Sequence, residues 1–166
     1  MELERRFNDI YEQYSDAIFR FVYVKTRDRQ QALDVTQDAF MKTWLYLADG
    51  NTINNARAFL YRTAYTTMLN ALRKKQPLSL DSLSEEGWEP SDERPDPEAS
   101  SIEHEEHREV MQHVGALPPH HRDVLLLRYV DNLSIQEIAT ILGGTENAIS
   151  VRIHRAIEQL KKIYEH

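Results

Sequence analysis

Residues 134–157, SIQEIATILGGTENAISVRIHRAI, contain two helical patterns separated by a pair of glycines. Ser134 and Glu137 have the spacing of a capping box, in which each side chain accepts a backbone N–H of the other residue at the start of a helix. Gly143–Gly144 predicts the end of that helix, because glycine readily adopts the left-handed conformation found there. Thr145 then suits the N-cap of the next helix. The stretch therefore predicts a helix-turn-helix.

The second helix of this pair has one apolar and one polar face. The apolar positions, spaced by four and three, are Ile149, Ile153, Ala156, Leu160 and Ile163. The opposite face carries mainly hydrogen-bonding and basic side chains: Asn147, Ser150, Val151, His154, Arg155, Glu158, Lys161 and Lys162. Such side chains suit base edges and phosphates in a DNA groove. A helical hairpin with a solvated face is the alternative, but the capping box, the turn and the basic face together favour DNA binding. Arg152, at the edge of the apolar stripe, is a candidate for either a phosphate contact or a structural ion pair.

Charge is distributed unevenly along this acidic chain, whose formal net charge is −7. Residues 51–76 hold five basic and no acidic side chains, whereas residues 77–107 hold eleven acidic and one basic. In the net charge, the acidic stretch therefore outweighs the basic one. The local charge, rather than the net charge, indicates where nucleic acid binds. The absence of cysteine excludes disulfides, thiolate zinc sites and cysteine nucleophiles.

Helical periodicity recurs along the chain, and no clear alternating pattern indicates strands. It predicts helices near 3–24, 29–48, 55–75 and 103–115, another beginning at Pro118–Pro119, and the closing pair. Four of the six prolines and most of the excess acid fall in one stretch, which is typical of an extended or disordered linker. We therefore predict an all-α fold of two small helical domains, 1–76 and 105–166, joined by an acidic flexible linker, 77–104. No signal-peptide core or membrane-spanning run is found, so we expect a soluble cytoplasmic protein without membrane insertion.

The C-terminal stretch also resembles a known family. S-x-x-E-I-A-x-x-L-G followed by T-x-x-A-I-x-x-R-I-x-R-A-x-x-x-L is similar to the last conserved region of bacterial RNA polymerase sigma factors, which binds the −35 promoter element. The preceding L-P-P-H-H-R-D-V-L-L-L-R-Y resembles the helix that leads into that region. The resemblance implies −35 contacts from Thr145, Asn147, Ser150, Val151, Arg152, His154, Arg155 and Lys161.

The second predicted helix is apolar on two sides. One face is sufficient to bury it in its own domain: Ala32, Val35, Thr36, Ala39, Phe40, Thr43 and Leu47. The other combines apolar and polar residues: Leu33, Gln37, Met41, Trp44 and Leu45, with Asp34 and Asp38 alongside. Such a helix either buries both faces within the protein or buries one face and leaves the other available to a partner. Periodicity alone slightly favours the internal alternative, whereas the carboxylates oppose it because unpaired buried charge is costly.

The run A-L-D-V-T-Q-D-A-F-M-K-T-W resembles the helix with which sigma factors grip the coiled-coil clamp of the polymerase β′ subunit. The positions that match the family pattern are Asp34, Gln37, Asp38, Phe40 and Trp44. Leu33 departs from the pattern, because an acidic residue is usual there. The resemblance implies core-polymerase binding by Asp34, Gln37, Asp38, Met41 and Trp44.

The third predicted helix pairs an apolar side with a basic one. The expected core side is Leu60, Tyr61, Ala64, Tyr65, Met68, Ala71 and Leu72. The other side carries an aromatic ring among cations and hydrogen-bonding groups: Phe59, Arg62, Thr63, Thr66, Asn70, Arg73 and Lys74. That combination suits nucleic acid, since cations neutralise phosphates and rings stack on bases. A merely solvated face would usually mix both signs of charge.

This helix resembles the one with which sigma factors capture and open the −10 element. Phe59, Leu60, Ala64 and Arg73 match its pattern, while Thr66 stands where asparagine is common and Asn70 where aspartate is common. The resemblance implies that the preceding loop, A-D-G-N-T-I-N-N, holds a flipped-out base, with Asn51 and Asn54 as candidate contacts. The −10 contacts expected from the helix are Phe59, Arg62, Thr63, Thr66, Asn70, Arg73 and Lys74.

Because both domains match in the same order, the chain resembles the small extracytoplasmic-function (ECF) group of the sigma-70 family. The resemblance implies a polymerase subunit that recognises −10 and −35 elements, as duplex and as melted single strand, and directs transcription initiation, with an anti-sigma factor as its usual partner. The alternative is a helix-turn-helix regulator that does not join the polymerase. No catalytic constellation, cofactor motif or metal site is expected, and His104–His107 is interpreted as an exposed helix start. The acidic linker either covers the basic third helix in the free protein or is a solubilising tether.

Overall fold

The computed structural model describes residues 1–75 and 101–166, with side chains from residue 105 onward in the second part. Every regular element in these two parts is helical, which confirms the all-α prediction. The helices are α1 (Glu2–Thr26), α2 (Arg29–Ala48), α3 (Ala56–Lys75), α4 (Ser101–Gly115), α5 (Pro119–Leu125), α6 (Ile135–Leu142) and α7 (Glu146–Tyr164). The chain divides into two compact units, one built on α1–α3 and the other containing α4, α5 and α7.

The N-terminal unit is a three-helix arrangement in which α2 packs against both α1 and α3. Helix α1 ends at Thr26 and is followed by Arg27, whose φ of 54° is left-handed, and α2 begins immediately after Asp28. The Asp28 Oδ1 accepts the Gln31 N–H at 3.1 Å, which caps the first turn of α2. The seven residues predicted for the core side of α2 are the seven that the structure buries on that helix.

Helix α3 buries a slightly different set of residues than its periodicity predicts. Tyr65, Ala71 and Leu72 were expected in the core, but all three are only half-buried. Thr67 is buried instead, and its hydroxyl accepts a hydrogen bond from the Lys42 ammonium at 2.9 Å. This contact satisfies a polar group that would otherwise be costly to bury, and it ties α3 to α2.

In the C-terminal unit, α5 and α4 pack against α7. Helix α5 starts at Pro119, as predicted, because proline is tolerated where no helical N–H bond is lost. A π-helical turn at Leu126–Val130 continues it, with the Asp131 N–H donating to the Leu126 carbonyl at 3.0 Å. Nothing in the apolar spacing predicted this turn, which places Leu126 and Leu127 in the core.

The predicted linker falls mostly outside the described residues. Helix α4 begins at Ser101, two residues before the predicted start near 103, so the last four residues assigned to the linker are helical. The remainder, 77–100, and with it the idea that the acidic segment covers α3, lies outside the part of the chain that the structure describes. Among the described helices, none is both long and apolar enough to cross a bilayer.

Candidate functional site

The outward face of α2 is exposed to solvent. Met41 is 60% exposed and Leu45 is 54% exposed, although both are large apolar side chains on an otherwise well-packed helix. Asp34, Gln37 and Asp38 are exposed on the same helix. The internal alternative for this face is therefore wrong, and α2 offers a mixed apolar and acidic surface from a rigid support.

Trp44 is held in place by an aromatic cluster that spans α1 and α2. Its ring meets the Phe7 ring edge-on, with centroids 5.2 Å apart, and Trp44 is half-buried as a result. Phe7 also contacts Phe40 at 6.3 Å, and Tyr11 contacts Phe40 at 4.9 Å. Phe40, which matches the family pattern, is buried and therefore supports the face from within rather than forming part of it. Sequence spacing pointed to Trp44 but gave no indication of its partners on α1.

The outer face of α3 is a basic surface without acid. Arg62, Thr66, Asn70, Arg73 and Lys74 are exposed, while Phe59 and Thr63 are half-buried. The Thr63 hydroxyl donates to the Phe59 carbonyl at 2.7 Å, and the Thr66 hydroxyl donates to the Arg62 carbonyl at 3.0 Å. Because each hydroxyl hydrogen is used within the helix, these side chains can serve a partner only as acceptors. At the end of the helix, Lys75 lies 4.0 Å from Asp28.

The loop that precedes α3 is fixed by its own side chains. Asn51 and Asn54 are both exposed, and the Asn51 Nδ2 donates to the Tyr46 carbonyl at 3.1 Å. The Tyr46 ring packs on the Phe59 ring with centroids 4.8 Å apart. Of the two asparagines predicted for base contacts, Asn51 thus has one amide hydrogen committed to the turn and Asn54 points to solvent. Tyr46 was not predicted as part of this site, because helical spacing within α2 does not show what that helix meets on α3.

The helix-turn-helix has the predicted local chemistry. The Glu137 N–H donates to the Ser134 Oγ and the Ser134 N–H donates to the Glu137 Oε1, each at 3.1 Å, which completes the capping box. Gly143 and Gly144 have φ values of 79° and 126°, in the region that favours glycine. The Thr145 hydroxyl then accepts the Ala148 N–H at 3.1 Å and caps α7. Each of these features confirms a prediction made from spacing alone.

Helix α7 buries its predicted stripe and exposes its predicted polar face. Ile149, Ile153 and Ala156 are buried, and Leu160 and Ile163 are half-buried. The exposed residues are Thr145, Asn147, Ser150, Val151, His154, Arg155, Glu158, Lys161 and Lys162. This surface includes every −35 candidate except Arg152.

Two details modify the electrostatics of α7. His154 Nε2 lies 3.2 Å from Glu158 Oε1, so this histidine already has a carboxylate partner. Arg152 is half-buried and forms no ion pair with a described residue, which leaves the phosphate alternative open for it. Burial lowers the pKa of the His121 imidazole, and the charges of His120, Arg152 and Arg155 lower it further.

Comparison with known proteins identifies the family. A model of Sigma-70 region 2 matches residues 10–77, and a model of Sigma-70 region 4 matches residues 107–160. The RNA polymerase sigma-H factor of Pseudomonas aeruginosa is 30% identical over 166 residues, covering 96% of this chain and 86% of that protein. The chain belongs to the sigma-70 family. The ECF RNA polymerase sigma factor SigW of Bacillus subtilis is 29% identical over 163 residues, covering 94% of this chain and 87% of SigW. This similarity places this chain in the ECF group.

Solved structures share the fold of this sigma factor. The sigma factor RpoE of Bartonella quintana, in complex with the anti-sigma factor NepR, superposes with a TM-score of 0.73 at 20% identity, covering 97% of this chain and 98% of that one. CnrH, in complex with the cytosolic domain of CnrY, superposes with a TM-score of 0.67 at 22% identity, covering 98% and 89%. The region 2 match contains α2 and α3, and the region 4 match contains α5, α6 and most of α7. Within the described residues, no group of three or more histidines and carboxylates could hold a metal ion.

Proposed function

We propose that this sigma factor binds core RNA polymerase through the outward face of α2. The main support is that Met41 and Leu45, two large apolar side chains, are exposed on the same helix as the exposed Asp34 and Asp38. A helix that buries one complete face needs no second apolar face to fold. Burying the second face on a partner removes apolar area from water, and the flanking carboxylates suit a basic partner surface such as the β′ clamp. Trp44, held by Phe7, is the rigid aromatic anchor of the contact.

Promoter DNA is the second partner in this proposal. The acid-free outer face of α3 supplies cations for phosphates and Phe59 for stacking, which suits the melted −10 element. The outer face of α7 suits the −35 duplex, where Arg155 is free to make a bidentate contact to guanine and Lys161 to approach the backbone. We assign these roles to residues 1–76 and 105–166 respectively, with 77–104 as the linker between them.

Control by an anti-sigma factor is part of the same proposal. Both structural neighbours described above were solved with a bound protein, which in one case is an anti-sigma factor. These neighbours, at 22% and 20% identity, share the fold of this sigma factor. The protein is proposed to act in the cytoplasm as a non-catalytic subunit, because the polymerase itself supplies the chemistry of RNA synthesis.

The test is whether DNA binding depends on polymerase. The purified chain is mixed with DNA from upstream of its own gene, with and without core enzyme, and the mixtures are compared by gel retardation. A supershifted complex that requires the chain, core enzyme and DNA together supports the proposal. A helix-turn-helix regulator that does not join the polymerase would retard duplex DNA alone and leave core enzyme unbound, which would overturn it.

A further inference from the structure

The loop between α2 and α3, residues 49–55, is anchored at alternate positions. The Asn51 side chain donates to the Tyr46 carbonyl, the Ile53 side chain is buried, and the Asn55 Oδ1 accepts the Ala58 N–H at 3.0 Å. The two residues between these anchors, Thr52 and Asn54, are exposed. The backbone is thus held at three points while two hydrogen-bonding side chains face solvent.

The middle anchor is reinforced from a distant part of the chain. Arg6, in the second turn of α1, donates from Nη2 to the Ile53 carbonyl at 2.7 Å, across 47 positions in sequence, and the contact is partly buried. A guanidinium donor makes a stronger hydrogen bond than a neutral one and keeps its charge at any physiological pH. Buried carbonyls rarely go without a partner, so this bond also satisfies a backbone group that the loop itself leaves unpaired.

Arg5 offers a natural comparison on the same helix. It is exposed, carries the same charge as Arg6 and forms no side-chain hydrogen bond or ion pair with a described residue. Substituting either arginine removes one cation from the same turn of α1. Only the substitution of Arg6 releases the loop, so a difference between the two variants reports the bond rather than the charge.

We infer that Arg6 is a positioning residue for base discrimination: it holds loop 49–55 in the shape in which Thr52 and Asn54 recognise one unpaired base of the −10 element. This inference rests on the proposed function of the N-terminal unit. Discrimination between bases by hydrogen bonds requires donors and acceptors that are held rigidly, whereas contacts to phosphates carry no sequence information. Releasing the loop therefore reduces selectivity at one base and leaves general affinity for DNA in place.

The experiment uses holoenzyme reconstituted from core polymerase and the full chain. The probe is a pool of partly unpaired promoter fragments in which the −10 bases of the exposed strand are randomised, and the bound fraction is sequenced. Wild type and Arg5→Ala should enrich the same sequences. Arg6→Ala should lose up to about tenfold discrimination at a single position, which is about the most that one neutral hydrogen bond to the base is worth, and Asn54→Ala should lose it at that same position. Arg6→Lys, which keeps a cationic donor, should restore most of the preference.

Each outcome decides between the alternatives. An unchanged preference in Arg6→Ala overturns the inference, and so does a loss at a position different from that of Asn54→Ala. A uniform loss at all positions together with weaker core binding shows a general structural role and also overturns it. If Arg6→Ala does not fold, Arg6→Met takes its place, because it keeps an unbranched side-chain stem while removing the donor to the Ile53 carbonyl, and the same outcomes then decide. Failure of the wild-type holoenzyme to enrich any sequence would instead contradict the proposed function itself.

Discussion

Leu45→Ala should weaken binding to core polymerase while leaving the fold intact. Leu45 is 54% exposed, so only about half of its side chain contributes to packing within the N-terminal unit. The exposed half is the part that docking on the clamp would bury. Loss of that contact should therefore appear in the affinity for polymerase rather than in the stability of the free protein.

The magnitude follows from the exposed fraction. Complete burial of a leucine side chain is worth about 1.5–3 kcal/mol, so burial of the remaining half contributes about 1 kcal/mol. The dissociation constant should rise about fivefold. Met41 lies one turn earlier and is 60% exposed, so the double variant Met41→Ala/Leu45→Ala should lose about 2 kcal/mol, or about thirtyfold in affinity.

The assay is a fluorescence titration of labelled chain with core polymerase, accompanied by thermal unfolding of each variant. Val110→Ala is the matched control, because Val110 is an apolar residue on α4 that is 40% exposed and lies outside the proposed contact. It should bind like wild type. Leu47→Ala, a truncation on the buried face of α2, should instead lower the free energy of unfolding by about 2–5 kcal/mol. If Leu45→Ala and the double variant bind core enzyme as tightly as wild type, the docking role of this face is refuted.

Three further predictions concern the C-terminal unit. Thr145→Ala removes the cap of α7 and should cost about 1 kcal/mol of stability in urea unfolding, whereas Thr145→Ser should cost much less; equal losses would contradict the capping role. Lys161→Ala should reduce the salt dependence of promoter binding by about one unit of slope, with similar losses on all −35 sequences; a sequence-selective loss would argue against a phosphate contact. The lowered pKa of His121 means that the unfolded chain takes up this proton first, so stability should fall as pH drops below 6.5 toward the pKa of the folded state. His121→Gln should flatten part of that decline and His107→Gln, an exposed control, should not; identical melting profiles for the two variants would refute this account.

Local chemistry was predictable from the sequence wherever neighbours along the chain determine it. The capping box, the glycine turn and the Thr145 cap involve residues at most four apart, and all formed as predicted. The buried face of α2 was also predicted residue by residue, because helical geometry alone relates positions three and four apart. The helix boundaries agree within two residues for the same reason.

Contacts between distant residues were not predictable in this way. Periodicity showed that α2 has two apolar faces and which of them fills the core, but only the packing against α1 and α3 shows that the second face is left exposed. The bond from Arg6 to the Ile53 carbonyl and the packing of Tyr46 on Phe59 depend on how helices meet, so neither has a signature in the local sequence. The π-helical turn after α5 was missed because residues 124–127 are apolar at every position, so this run contains no spacing that an extra residue in the turn would visibly shift.

Start-site selection tests the central claim most directly. Core polymerase alone and core polymerase with the purified chain are given the same library of genomic fragments, and the 5′ ends of the transcripts are sequenced. We predict a small set of new start sites that share two upstream sequence elements, one for each proposed DNA-binding surface. If the added chain yields the same start sites as core enzyme alone, it does not direct initiation and the assignment of both DNA-binding surfaces is wrong.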